Sequence, residues 1–260
     1  MYNISLACLM LFWGRAADVY GHRPVYLFGF LLFTVSTLCL PFCSSDIPFY
    51  FLRLIQGVGG AAIIPAGLGI VGTTYPPGAT RKRAYAVVIG FASLGSVMGS
   101  LLGGIIGGSL GWKWVFWIPA FLSALATCVA ALSTSSFPLW KSHTKSNSVD
   151  WLGAVLISTG LLLLLIAISE GPEVGWKTSW VIVLIVLSAV FIASFIGWQR
   201  HLEKGGSQVP LLRVSMFQRG QFSALFLLVG CFYGSFNSFL VFATDLWVSF
   251  QLKYIRWHQN

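Results

Sequence analysis

The sequence predicts an all-α polytopic membrane protein, a partial helical bundle of about seven full spans preceded by a shortened first helix. Three observations point there. Hydrophobic residues make up 57% of the 260 residues and charged residues only 9%, with a mean hydropathy of +0.81, which is more apolar surface than a water-soluble domain can hide. Apolar runs near the roughly 20 residues needed to cross a hydrocarbon core of about 30 Å recur along the whole chain. Basic residues gather in alternate loops, as positive charge retained on the cytosolic side requires.

Taken in order, the run 1–13 is too short to cross and reads as the stump of a helix. It lacks a basic leader and a small-residue cleavage site, so a cleaved signal is rejected. Full spans follow at 25–43, 47–72, 84–108, 114–132, 152–169, 179–198 and 221–244. The polar, Ser/Thr/Lys-rich stretch 134–150 reads as a cytoplasmic linker dividing an N-terminal bundle, 1–133, from the further spans of 151–244, with a short tail at 245–260. Asp150 stands where a capping side chain would start the next helix. The connection around Val209 to Phe217 is too short to span and fits an interfacial segment.

Orientation follows from the loops. Arg15 and Arg23, then Arg81, Lys82 and Arg83, then Lys141 and Lys145, then Arg200, Lys204, Arg213 and Arg219 fall on one side, against Lys113 and Lys177 on the other. The first set is expected in the cytosol. The net charge of +9 is thereby explained by topology, and no nucleic-acid partner is needed. Trp112, Trp114, Trp117, Trp151, Trp176, Trp180 and Trp198 cluster at span ends, as an interfacial belt would. The five cysteines sit in or beside apolar runs without paired spacing, and the four histidines are scattered, so neither a metal site, a cofactor nor a catalytic pair is expected. The Asn3 sequon lies inside the stump and is assigned no role.

Three constellations carry possible chemistry. The first, Gly14 to Arg23, reads as a tight charged turn in which Gly14 permits close helix approach, Asp18 accepts hydrogen bonds from a helix N-terminus, Gly21 reverses the chain and Arg23 pairs with Asp18 or lipid phosphate. Such contacts suit a gate, or equally a solvated loop. The second is Arg53 with Gln56 and Gly57 inside an apolar run. An intramembrane Arg costs about 2.5–3.5 kcal/mol on insertion scales unless it meets a partner or a polar cavity, so it marks either a site or a side chain snorkelling outward. Gln56, three residues on, shares its helix face. The third is the stripe Gly95, Gly99, Gly103 with Gly104, a smooth face on which another helix can pack. The GxGxxA pattern at Gly57 to Ala62 lies in an apolar run with no strand beside it and is not a dinucleotide fingerprint.

Taken together these motifs resemble the major facilitator superfamily, and within it the fourteen-span drug:proton antiporter branch of fungal toxin and multidrug efflux pumps. Gly14, Asp18, Gly21 and Arg23 match its loop motif; Arg53, Gln56 and Gly57 its fourth-span motif; Gly95, Gly99, Gly103 and Gly104 its fifth-span antiporter motif. Val19 and His22 stand where the family places basic residues, and Ser100 where it places Pro. The resemblance implies export of small amphipathic molecules, with protons as the coupling ion and a multi-pass location in the plasma membrane, or else a vacuolar or vesicle membrane. It also implies that the stump is span two and that the chain stops near span nine, so that the remaining helices come from another chain or not at all. The alternative expectation is a truncated membrane protein that transports nothing. All carboxylates, Asp18, Asp46, Asp150, Glu170, Glu173, Glu203 and Asp245, lie away from span centres, so no proton carrier is visible. An enzyme has no support.

Overall fold

The computed structural model describes residues 1–133, 150–205, 210–218 and 220–258. The expected linker lies outside the described residues but for its last member, Asp150. Eight α-helices account for almost all of the rest: α1 (Tyr2–Tyr20), α2 (His22–Cys39), α3 (Asp46–Thr74), α4 (Ala79–Ser109), α5 (Trp114–Ser133), α6 (Trp151–Val174), α7 (Ser179–Gly205) and α8 (Gly220–His258). All but α1 supply a segment long and apolar enough to cross a membrane, so seven spans stand as the hydropathy pattern predicts, and α1, at 19 residues, is one residue longer than α2. Side chains such as Leu31, Phe91, Leu125, Val183 and Leu228 point outward. In lipid an apolar exterior is a solvated one, so this multi-pass chain needs only small residues and a few polar groups inside.

The helices outrun the apolar spans. α4 begins at Ala79, placing Arg81 to Arg83 on its first turn, where Arg81 Nε donates to the Tyr75 carbonyl at 2.7 Å just past the end of α3. That bond answers one of the carbonyls a helix end leaves open. α8 continues through the expected tail to His258, and the expected interfacial segment forms a 3₁₀ turn at Val214–Gln218. Asp150 caps α6 as anticipated, accepting the Gly153 amide at 2.9 Å. Trp112, Trp114, Trp151, Trp176 and Trp180 are exposed at or beside helix ends, where amphipathic rings anchor to headgroups.

The chain divides into two compact units, residues 1–85 with 116–214, and residues 86–115 with 215–260. In the first, α2 and α3 pack along their length, α1 lies against α3, and α6 pairs with α7 and touches α1. Small residues make these crossings: Ala17, Val25, Ala62 and Ala66 form a buried cluster flanked by Trp13 and Tyr26. A Cβ on Gly29 would come within 2.9 Å of the Gly59 carbonyl, so α2 and α3 meet backbone to backbone. In the second unit α4 and α8 bury nothing among the described side chains.

Candidate functional site

Arg53 lies about two turns into α3 and is half-buried. Three partners answer it. Its Nη1 donates to Gln56 Oε1 at 3.0 Å, and its guanidinium carbon stands 5.5 Å from the Phe49 ring centre and 4.7 Å from that of Phe116 on α5. Both rings lie within the range of cation–π attraction, which strengthens when the cation is partly desolvated. Arg53 is thus half-buried with its guanidinium engaged by one amide and two rings.

The partner of Gln56 is itself directed. A guanidinium can only donate, so Gln56 must turn its carbonyl oxygen to Arg53 and its amide nitrogen away. That nitrogen donates to Thr37 Oγ1 on α2 at 2.8 Å, and the Thr37 hydroxyl donates in turn to the Phe33 carbonyl at 2.6 Å. Gln56 and Thr37 are 4% and 1% exposed, so the bond between them is buried, where an unmade bond is costly. The order of donors is set by the one group that cannot accept. The expected sharing of a helix face by Arg53 and Gln56 is observed; Thr37 and Phe116 carried no signal in a single sequence, because periodicity does not reveal which helices become neighbours.

Gly57, next to Gln56, is where α1 crosses α3. A Cβ there would lie 2.5 Å from the Tyr2 carbonyl oxygen and 2.7 Å from Ser5 Cβ, closer than real side chains come. With Gly59 against α2 and Gly60 against the Tyr2 hydroxyl, the glycine-rich run that mimics a nucleotide fingerprint is a helix-crossing surface.

The charged decapeptide, expected as a tight turn, is helical on both sides of one residue. α1 runs to Tyr20 and α2 begins at His22, leaving Gly21 alone to turn the chain at φ 100° and ψ 142°. Gly21 reverses the chain as expected, because a residue with a Cβ rarely adopts that backbone. Gly14 faces Pro65 of α3 at ordinary contact distance for an added Cβ, 3.4 Å. Asp18 lies 3.9 Å from Nε2 of His22, the first residue of α2, and the His22 ring packs on Gly69. Arg15, expected in a solvated turn, is instead 6% exposed. Helix continuation causes this: once Gly14 to Tyr20 coil, Arg15 turns towards the interior instead of projecting from a turn.

The third expected feature stays open. Cβ atoms added at Gly95, Gly99, Gly103 and Gly104 meet nothing within 4 Å, so the smooth face of α4 has no helix against it among the described residues.

A polar cluster that sequence reasoning did not assemble joins α6 to α7. Asp150, 3% exposed, accepts from Trp198 Nε1 at 3.1 Å and Gln199 Nε2 at 2.7 Å besides capping its own helix. Gln199 Oε1 then receives the Leu212 amide at 3.4 Å. The sequence marked Asp150 as a cap but not its partners Trp198 and Gln199. Among the described residues no three His, Cys, Asp or Glu side chains come together as metal ligands would.

Comparison with known proteins agrees with this architecture. The profile of the Major Facilitator Superfamily matches residues 1–254. The chain is 28% identical over 199 residues to an efflux pump of Aspergillus terreus, covering 75% of this chain and 38% of that protein. It is 24% identical to a major facilitator superfamily multidrug transporter of Aspergillus fumigatus, covering 96% and 46% respectively. To the aminotriazole resistance protein of Saccharomyces cerevisiae it is 31% identical, over 92% of this chain and 44% of that one. The chain thus spans less than half the length of these curated relatives.

Proposed function

The chain belongs to the major facilitator superfamily, and from that premise we propose that it acts in efflux-type secondary transport, exporting small amphipathic molecules by proton antiport. The observation that carries this reading is the directed chain from Arg53 through Gln56 and Thr37. A half-buried cation inside a span is expensive, and here it is kept in place by an oriented amide and two aromatic faces. That arrangement supports a group poised at a substrate or coupling site, since a permanent cation beside an ionisable or polar ligand changes its affinity as the ligand's charge changes. The names of the relatives, an efflux pump and a multidrug transporter among them, support the same direction of transport.

In this reading Gly14, Asp18, Gly21 and Arg23 form the gate. The Asp18–His22 contact and the Gly21 turn couple α1 to α2, and their making and breaking would accompany alternation between two states. Gly95, Gly99, Gly103 and Gly104 offer α4 to a further helix. The proton carrier is not Arg53, which stays charged, so the protonatable partner comes from elsewhere. A plasma-membrane location fits export from the cell, with a vacuolar or vesicle membrane as the variant, and the chain has no catalytic role.

Dye retention in intact cells tests the reading. Cells expressing the chain should lose ethidium faster than cells carrying an empty vector, and collapsing the proton gradient should erase the difference. Equal retention would remove the proposal.

A further inference from the structure

Near the Gly21 end of α1 lies a cavity of about 530 Å³, walled by Met10, Leu11, Pro65 and Leu211 and bearing the side chains of Arg15 and Asp18. Arg15 is 6% exposed, and its Nε and Nη2 are buried with no hydrogen-bond partner among the described residues. A buried guanidinium left without an acceptor is costly, and the deficit is removed by any oxyanion that reaches it. Asp18, three residues on, does not serve: no ion pair joins the two, and the Asp18 carboxylate faces His22 Nε2 at 3.9 Å.

We propose that this cavity binds a singly charged oxyanion carried on an apolar body, a carboxylate or a phosphodiester with a hydrocarbon tail, with Arg15 as its counter-charge. Each half of that description has its own cause. The four apolar walls take the tail, and the unpaired guanidinium takes the head. A doubly charged head such as a phosphate monoester is disfavoured, because the Asp18 carboxylate lines the same cavity. The cavity's position beside the turn at Gly21 puts the head at interfacial depth and the tail along α1, so the ligand arrives either from the membrane as a lipid phosphodiester or as a free amphipathic acid. The site stands on Arg15 and does not depend on the transport reading.

The test is equilibrium binding of tritiated decanoate to the full chain in dodecyl maltoside micelles, with micelles lacking protein as the partition baseline. Wild type should bind saturably above that baseline, and decanol should not compete. Arg15→Lys should retain binding, whereas Arg15→Gln should weaken it by at least about tenfold. Ala7→Phe, which leaves Arg15 in place and fills the cavity from an exposed position, should weaken binding as well. Because it keeps the charge, this variant separates loss of the site from any general effect of changing Arg15. Adding phosphatidylglycerol to the micelles distinguishes the sources: displacement of decanoate identifies a lipid phosphodiester as occupant, its absence a free acid, and either upholds the site. Equal decanoate affinity in wild type and Arg15→Gln, or competition by decanol matching that of decanoate, would overturn it.

Discussion

Gln56 on α3 donates its amide to the Thr37 hydroxyl on α2 across 2.8 Å, while its oxygen is turned to Arg53. With the amide nitrogen engaged, only the oxygen remains for the guanidinium. Thr37→Val keeps the shape and removes the acceptor, leaving a buried amide N–H unpaired. The variant should lose about 1–3 kcal/mol of stability and lower transport without abolishing it. Thermal unfolding in detergent beside an efflux assay measures both; unchanged stability would mean that Gln56 does not rely on Thr37.

Phe116 should matter through its ring face. Phe116→Leu keeps an apolar side chain but removes the nearer of the two π faces over Arg53, 4.7 Å away, and should weaken substrate-dependent export several-fold while changing unfolding little, since a cation–π contact is worth about 0.5–2 kcal/mol. Phe116→Tyr should restore export. Failure of Tyr to outperform Leu would remove the ring from the account.

The two kinds of glycine should part company. Gly57→Ala forces a Cβ against the backbone of α1 and should cost about 1–3 kcal/mol, whereas Gly103→Ala meets nothing within 4 Å and should be neutral or slightly stabilising through helix propensity. Side-by-side unfolding curves decide it. A Gly103→Ala variant as damaged as Gly57→Ala would mean that α4 packs closely against a further helix.

Asp150 should behave as a joint between α6 and α7. Asp150→Ala removes a cap and strands the Trp198 and Gln199 donors, for an expected loss of about 2–4 kcal/mol. A double-mutant cycle with Gln199→Ala should return a coupling of at least about 0.5 kcal/mol. Additive losses would separate the two residues.

These particulars mark what a single sequence can and cannot convey. The membrane class, the seven spans, the cap at Asp150 and the turn at Gly21 are local properties of composition and spacing, and each is met in the structure. The Arg53–Gln56 pair was legible for the same reason, three residues apart on one helix. Thr37, Phe116 and the Asp150–Gln199 contact come from other helices, and lipid-facing helices are apolar all round, so their periodicity does not tell which face meets which neighbour. Arg15 was misplaced because a dense charged motif reads as a solvated loop until the helix through it is seen.

The most direct measurement is proton-driven efflux from proteoliposomes containing only the purified chain. Vesicles loaded with ethidium receive a pH step in the direction that drives export, and wild type is compared with Arg53→Ala. The account predicts gradient-dependent loss of dye from wild-type vesicles and at least about tenfold slower loss with Arg53→Ala. No gradient-dependent movement in wild type, or equal rates in the two, would contradict it.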